Sequence, residues 1–178
     1  MSFDWIALAE FGLIGVFSGG LLALIALGFV LIYKGTGVIN FAMGEFMMLG
    51  AYFFYTTNVI WGLPTWMALA ATLAAVALAA AMIERAILRP LSGQPVISIL
   101  MATIGLASAL HGAVDAIWGG NNYEMPQLLP RKAFTFGELL IPGQAVWSFA
   151  LAAVIIAAFM LYFRYSRTGI AMRAAASD

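Results

Sequence analysis

The sequence predicts an all-α, polytopic transmembrane helical bundle, and three observations carry that prediction. The 178 residues are 64% hydrophobic and 9% charged, whereas a soluble domain uses about 25% charged residues to cover its surface. Apolar runs of about 20 residues, enough to cross a hydrocarbon layer roughly 30 Å thick, recur between charges, prolines and glycines. Cations and tryptophans gather at opposite ends of those runs, as they do at the two faces of a membrane.

About five spans follow from the runs. The first covers Phe11 to Tyr33 and the second Val38 to Thr57. A Trp61-Gly-Leu-Pro64 turn leads to the third, Thr65 to Ile83; the fourth runs from Val96 to Trp118 and the fifth from Ala145 to Phe163. Lys34, Arg85, Arg89, Arg164, Arg167 and Arg173 fall on one side of this arrangement. Arg131 and Lys132 fall on the other, beside Glu124 and Glu138. The positive-inside rule then places the N-terminus outside and the C-terminus in the cytoplasm. Trp5, Trp61, Trp66, Trp118 and Trp147 all lie at or beyond the outer ends, and Tyr33, Tyr162 and Tyr165 mark the inner edge. The acidic N-terminus (Asp4, Glu10) lacks the basic stretch of a cleaved signal peptide. Residues 1–178 therefore read as a single membrane domain, with an external loop over 119–144 and a cytoplasmic segment over 164–178.

Two small-residue surfaces suit helix packing: Gly12, Gly15, Gly19, Ala23 and Ala26 in the first span, and the alanines from Ala68 to Ala81 in the third. The external loop carries Pro126, Pro130 and Pro142, and Phe134-Thr135-Phe136 within it has the composition of a short strand. A loop of this length either receives a partner or is a solvated connector.

Composition excludes several functions. A formal net charge of zero leaves no basic footprint for nucleic acid. The absence of cysteine removes disulfides, thiol nucleophiles and thiolate metal sites, and a single histidine rules out a histidine cluster. No phosphate-binding Gly-x-x-x-x-Gly-Lys-Ser/Thr loop is present. With no nucleophile–base constellation and no cofactor loop, neither an enzyme, a metal site nor a cofactor is expected.

The stretch from Lys34 to Tyr55 departs from plain membrane filler. It carries Asn40 and Glu45 among Gly35, Gly37, Gly44 and Gly50. A carboxylate at bilayer depth costs about 2.5–3.5 kcal/mol on insertion scales, so it requires a partner, a cavity or a function. Continuous helix from Lys34 would put Glu45 about 16 Å further along, near the middle of the layer. Glu45 either lines a translocation path, ties spans together, or binds a coupling ion. Asn40 and Gly44 share a face on such a helix and complete the candidate path or gate. Gly35-Thr36-Gly37 suggests a break or re-entrant start, tolerated only under cover of protein or a cavity. His111 and Asp115 stand four apart in the fourth span, on one face, as an intramembrane polar pair or part of a relay. Met43, Met47 and Met48 suit adaptable packing.

The run Gly37-Val-Ile-Asn-Phe-Ala-Met-Gly-Glu-Phe-Met-Met-Leu-Gly-Ala-Tyr52 resembles the signature of branched-chain amino-acid ABC transporter permeases of the LivH type. Glu84-Arg85 with Arg89-Pro90-Leu91, then Ile99 to Gly105, and Arg164 to Asp178 match in the same order. The resemblance extends over essentially the whole chain but about the first three-fifths of a family member. Met43 departs from the family's frequent Gln or His. The resemblance implies an inner-membrane permease subunit working with a second permease subunit, cytoplasmic ATPase subunits and a periplasmic substrate-binding protein. It implies that Arg167, Thr168, Gly169 and Arg173 begin the ATPase-coupling surface. Related permeases handle urea or short amides. An ion-coupled secondary transporter, with Glu45, His111 and Asp115 as relay, is the alternative of another class; a membrane fragment that transports nothing is the third.

Overall fold

The computed structural model describes residues 5–91, 93–121, 123–126, 128–130, 132–136, 139–166 and 169. Helices dominate: α1 (Trp5–Thr36), α2 (Met43–Tyr55), α3 (Thr65–Ile83), α4 (Val96–Trp118) and α5 (Gly143–Tyr165), with a hairpin of β1 (Phe134–Phe136) and β2 (Leu139–Ile141) before α5. Prolines set three of the starts. Pro64, Pro95 and Pro142 stand immediately before α3, α4 and α5 in extended conformation, where a missing N–H removes no helical hydrogen bond. Gly119 ends α4 at φ +79°, a left-handed conformation that glycine adopts without a Cβ penalty.

Among the described residues, four helical segments are long and apolar enough to cross a membrane: Trp5–Lys34, Thr65–Leu91, Val96–Trp118 and Gly143–Tyr165. The second expected span differs from them. Gly37 adopts φ +70° and residues 37–42 are not helical, so α2 begins at Met43 rather than continuing from Lys34. It has 13 residues, extended by a π-turn over Thr56–Ile60. Glu45, Thr56, Thr57 and Asn58 dilute its apolar character. The break places Asn40 ahead of the helix, so Asn40 and Gly44 do not share a helical face. The strand expected at 134–136 is present and pairs antiparallel with Leu139–Ile141, Phe134 opposite Ile141.

The chain divides into two compact units, Thr36–Leu128, and Met1–Gly35 with Leu129–Asp178. In the first, α2 packs on α3 and α4. Its core holds Ala42, Leu49, Phe54, Ala68, Leu106 and Val114, together with buried Asn40, Thr57, Thr72 and Thr103. The Thr57 hydroxyl lies 3.0 Å from the Phe53 carbonyl, 3.5 Å from that of Ala68 and 3.4 Å from the Thr72 hydroxyl. It therefore meets its hydrogen-bonding needs while joining α2 to α3. At the same end Trp118 Nε1–H donates to Thr56 Oγ1 at 2.8 Å. Tyr52 and Phe53 pack on the Trp118 ring, with centroids 5.3 and 5.9 Å away.

In the other unit, Phe149 of α5 meets Phe17 edge-on at 5.5 Å between centroids. Its ring covers Gly20, where a Cβ would collide with it. The expected small-residue surface is displaced by one position: a methyl at Gly12, Gly15 or Gly19 would meet nothing within 4 Å among the described residues. Glu10 Oε1 accepts the Leu140 N–H at 2.6 Å, tying α1 to the hairpin.

Candidate functional site

The break before α2 organises the site. Asn40 Oδ1 accepts the Ala42 N–H at 2.9 Å, and the Met43 N–H points to the Asn40 carbonyl at 3.4 Å. This turn is the local alternative to helix that asparagine favours. It starts α2 so that Glu45 falls in the first turn, where the positive end of the helix dipole favours a carboxylate. Asn40 is buried and its side-chain oxygen is committed to this turn. Gly44 is exposed, and a methyl there would meet nothing within 4 Å among the described residues.

Glu45 meets α4. His111 Nδ1 lies 3.2 Å from Glu45 Oε2, and His111 Nε2 lies 3.7 Å from Asp115 Oδ2. The i,i+4 pair expected on α4 is in place, and Glu45 joins it from another helix. Side-chain exposure is 24% for Glu45 against 57% and 51% for His111 and Asp115, so Glu45 is the covered end of the row. The Glu45–His111 approach is within hydrogen-bond distance, whereas the 3.7 Å approach of His111 to Asp115 is an ion-pair distance only.

A groove of about 520 Å³ opens beside this row, lined by Phe41, Glu45, Ile104, Ala107, Ser108, His111 and Gly112. Ser108, His111, Gly112 and Asp115 follow i, i+3, i+4, i+7 spacing, so one face of α4 carries the polar groups. That periodicity was the available sequence signal for Ser108. Nothing local signals the Glu45–His111 contact, which spans 66 residues of sequence.

Of the expected coupling residues, Arg167, Thr168 and Arg173 lie outside the described residues, and the Gly169 N–H donates to Ser166 Oγ at 3.0 Å. Among the described residues no group of three or more His, Cys, Asp or Glu is arranged to hold a metal ion.

Within the unit Thr36–Leu128, the long apolar α3 and α4 pack on a short α2 whose carboxylate pairs with α4, an arrangement that suits a membrane permease. Comparison with known families agrees: residues 12–178 match the family described as branched-chain amino acid transport system / permease component, and the chain belongs to it. It is a multi-pass inner-membrane protein. It is similar to the high-affinity branched-chain amino acid transport system permease protein BraD of Pseudomonas aeruginosa, 33% identical over 177 residues, or 92% of this chain and 57% of that protein. It is also similar to the LivH permease proteins of Salmonella typhimurium and Escherichia coli, each 32% identical over 178 residues, with 92% of this chain and 57% of the relative covered. The chain thus spans 57% of the length of these curated relatives. No solved structure matches it.

Proposed function

We propose that this chain supplies part of the membrane pathway of an ATP-driven importer for branched-chain amino acids, with the groove at Glu45 and His111 on that pathway. Family membership and the relatives' names support the substrate class. The observation that carries the site is the Glu45–His111 contact at 3.2 Å on the wall of a groove. Its volume of about 520 Å³ falls within the roughly 300–1,000 Å³ of small-molecule sites. Its walls divide as such a substrate does, with Phe41, Ile104 and Ala107 apolar and Glu45, Ser108 and His111 polar. Asn40 sets the start of α2, and Gly44 leaves its first turn open toward a neighbour. Carboxylates at Glu45 and Asp115 suit an ammonium group, while the apolar walls suit an aliphatic side chain.

On this proposal ATP hydrolysis comes from separate cytoplasmic ATPase subunits, a second permease subunit completes the pathway, and a periplasmic binding protein delivers the substrate. The cation bias supports an outside N-terminus and a cytoplasmic segment over 164–178 that begins the ATPase contact. Co-expression with these partners is expected to give leucine uptake that stops when the ATPase loses its phosphate-binding lysine. Glu45→Gln is expected to lower uptake at least tenfold at unchanged abundance. Normal uptake by Glu45→Gln would remove Glu45 from the path. The His111 bridge between two carboxylates favours a second reading, an ion-coupled carrier. Uptake that survives loss of the ATPase but collapses with the proton gradient would establish it instead.

A further inference from the structure

The Glu45–His111 contact has a counterpart further along the same two helices. Within the unit Thr36–Leu128, Tyr52 stands seven residues on from Glu45 in α2, and Trp118 seven on from His111 in α4. Seven residues is almost two helical turns, so each ring lies on the face of its helix that carries the polar contact, about 10 Å beyond it. The two rings meet with centroids 5.3 Å apart, an aromatic contact that leaves no passage between them. Among the described residues the lining of the groove ends short of this contact, at Glu45 on α2 and Gly112 on α4.

The chain that leaves α4 folds back onto the rings. Gly119 and Gly120 turn it at φ +79° and +62°. Gly120 sits against Asp115, whose Oδ1 would lie 3.3 Å from a Cβ built there. The Tyr52 hydroxyl donates to the Asn121 carbonyl at 3.1 Å, and the Tyr123 hydroxyl donates to the Trp118 carbonyl at 2.8 Å. The Tyr123 ring packs on Tyr55 at 4.6 Å between centroids and edge-on against Tyr52 at 6.0 Å.

Resting on the pathway proposed for this groove, we infer that Tyr52, Trp118 and Tyr123 form its gate, at the end that the cation bias assigns to the outside. Substrate enters when the two tyrosine hydroxyl bonds open. Tyr52 belongs both to the ring contact and to the bond with Asn121, so releasing that carbonyl frees the ring that blocks the way. The bonding suits a reversible closure. Both hydroxyl bonds are exposed, and water replaces exposed bonds at little net cost. The Thr57–Thr72 tie between α2 and α3 is buried instead, as befits a joint that stays shut.

Two variants of the full chain, assembled with its transport partners, test the gate. Ser108→Cys supplies a reporter thiol in a chain without cysteine. Adding Tyr52→Phe and Tyr123→Phe keeps the rings but removes both hydroxyls, and an impermeant thiol reagent supplied from outside is expected to modify the reporter several-fold faster. Separately, Tyr52→Cys/Tyr123→Cys bridged by a short bifunctional methanethiosulfonate is expected to lose leucine uptake several-fold. Uptake is expected to return when a reductant cuts the bridge, a reversal that a folding defect would not show. An unchanged modification rate, or uptake that ignores the bridge, would overturn the gate. Leucine protection of the reporter without the phenylalanine changes tells the two failures apart: with protection the pathway stands and the gate alone falls, and without it both fall.

Discussion

The two units of this chain handle apolar surface in opposite ways. Between Thr36 and Leu128, α2 is enclosed by α3 and α4 and the core includes buried polar side chains. In α1 no described residue is buried, and in α5 only Gly143 and Ala152 are. Hydropathy does not foreshadow this: α1, with the least burial, is the most apolar of the four long segments. In lipid, apolar side chains gain little by turning inward, so helices associate where small residues permit close approach and polar groups find partners. The unit with Asn40, Glu45, Thr57, Thr72 and His111 has such partners in its core.

The contrast can be broken most forcefully at Ala68, which is fully buried and whose carbonyl lies near the Thr57 hydroxyl. Ala68→Leu is expected to cost about 1–3 kcal/mol by overpacking, measured by reversible unfolding in mixed micelles. Val154→Ala on the bare face of α5, 65% exposed, is expected to stay within about 0.5 kcal/mol. Equal costs would erase the distinction between the units.

Next in size is Gly20, the close contact of α1 with α5. Gly20→Ala is expected to displace the Phe149 ring and lower stability by about 1 kcal/mol, whereas Gly15→Ala, whose methyl would meet nothing within 4 Å among the described residues, is expected to be neutral or slightly stabilising through helix propensity. A smaller loss than at Ala68 or Gly20 is expected at Trp118. Trp118→Phe keeps an aromatic ring against Tyr52 and Phe53 but removes the hydrogen bond to Thr56. Such bonds in membranes average about 0.6 kcal/mol, and a loss near that value in the same unfolding assay would place Trp118 among ordinary helix ties.

Much of this architecture is legible in the residues. Thr65–Ile83 and Val96–Trp118 follow from apolar length bounded by proline and glycine, because those signals act locally. Gly35-Thr36-Gly37 announces the break before α2, but its consequence is less visible: the break turns Glu45 from a mid-helix carboxylate into a first-turn one. The spacing of His111 and Asp115 reveals their pairing, since four residues is one helical turn. The approach of Glu45 to His111 is set by how α2 packs on α4, and no periodicity within either helix encodes it. Small residues at Gly12, Gly15 and Gly19 mark a surface but not its occupant, and within α1 it is Gly20 that meets Phe149.

The central claim is that the groove beside Glu45 and His111 lies on the substrate path and is open to solutes. The chain contains no cysteine, so Ser108→Cys introduces a single thiol on the groove wall. In the assembled transporter, a membrane-impermeant thiol reagent is expected to modify that residue, and saturating leucine to slow the modification several-fold. A thiol that stays unmodified, or one whose modification ignores leucine while uptake remains normal, would contradict the account.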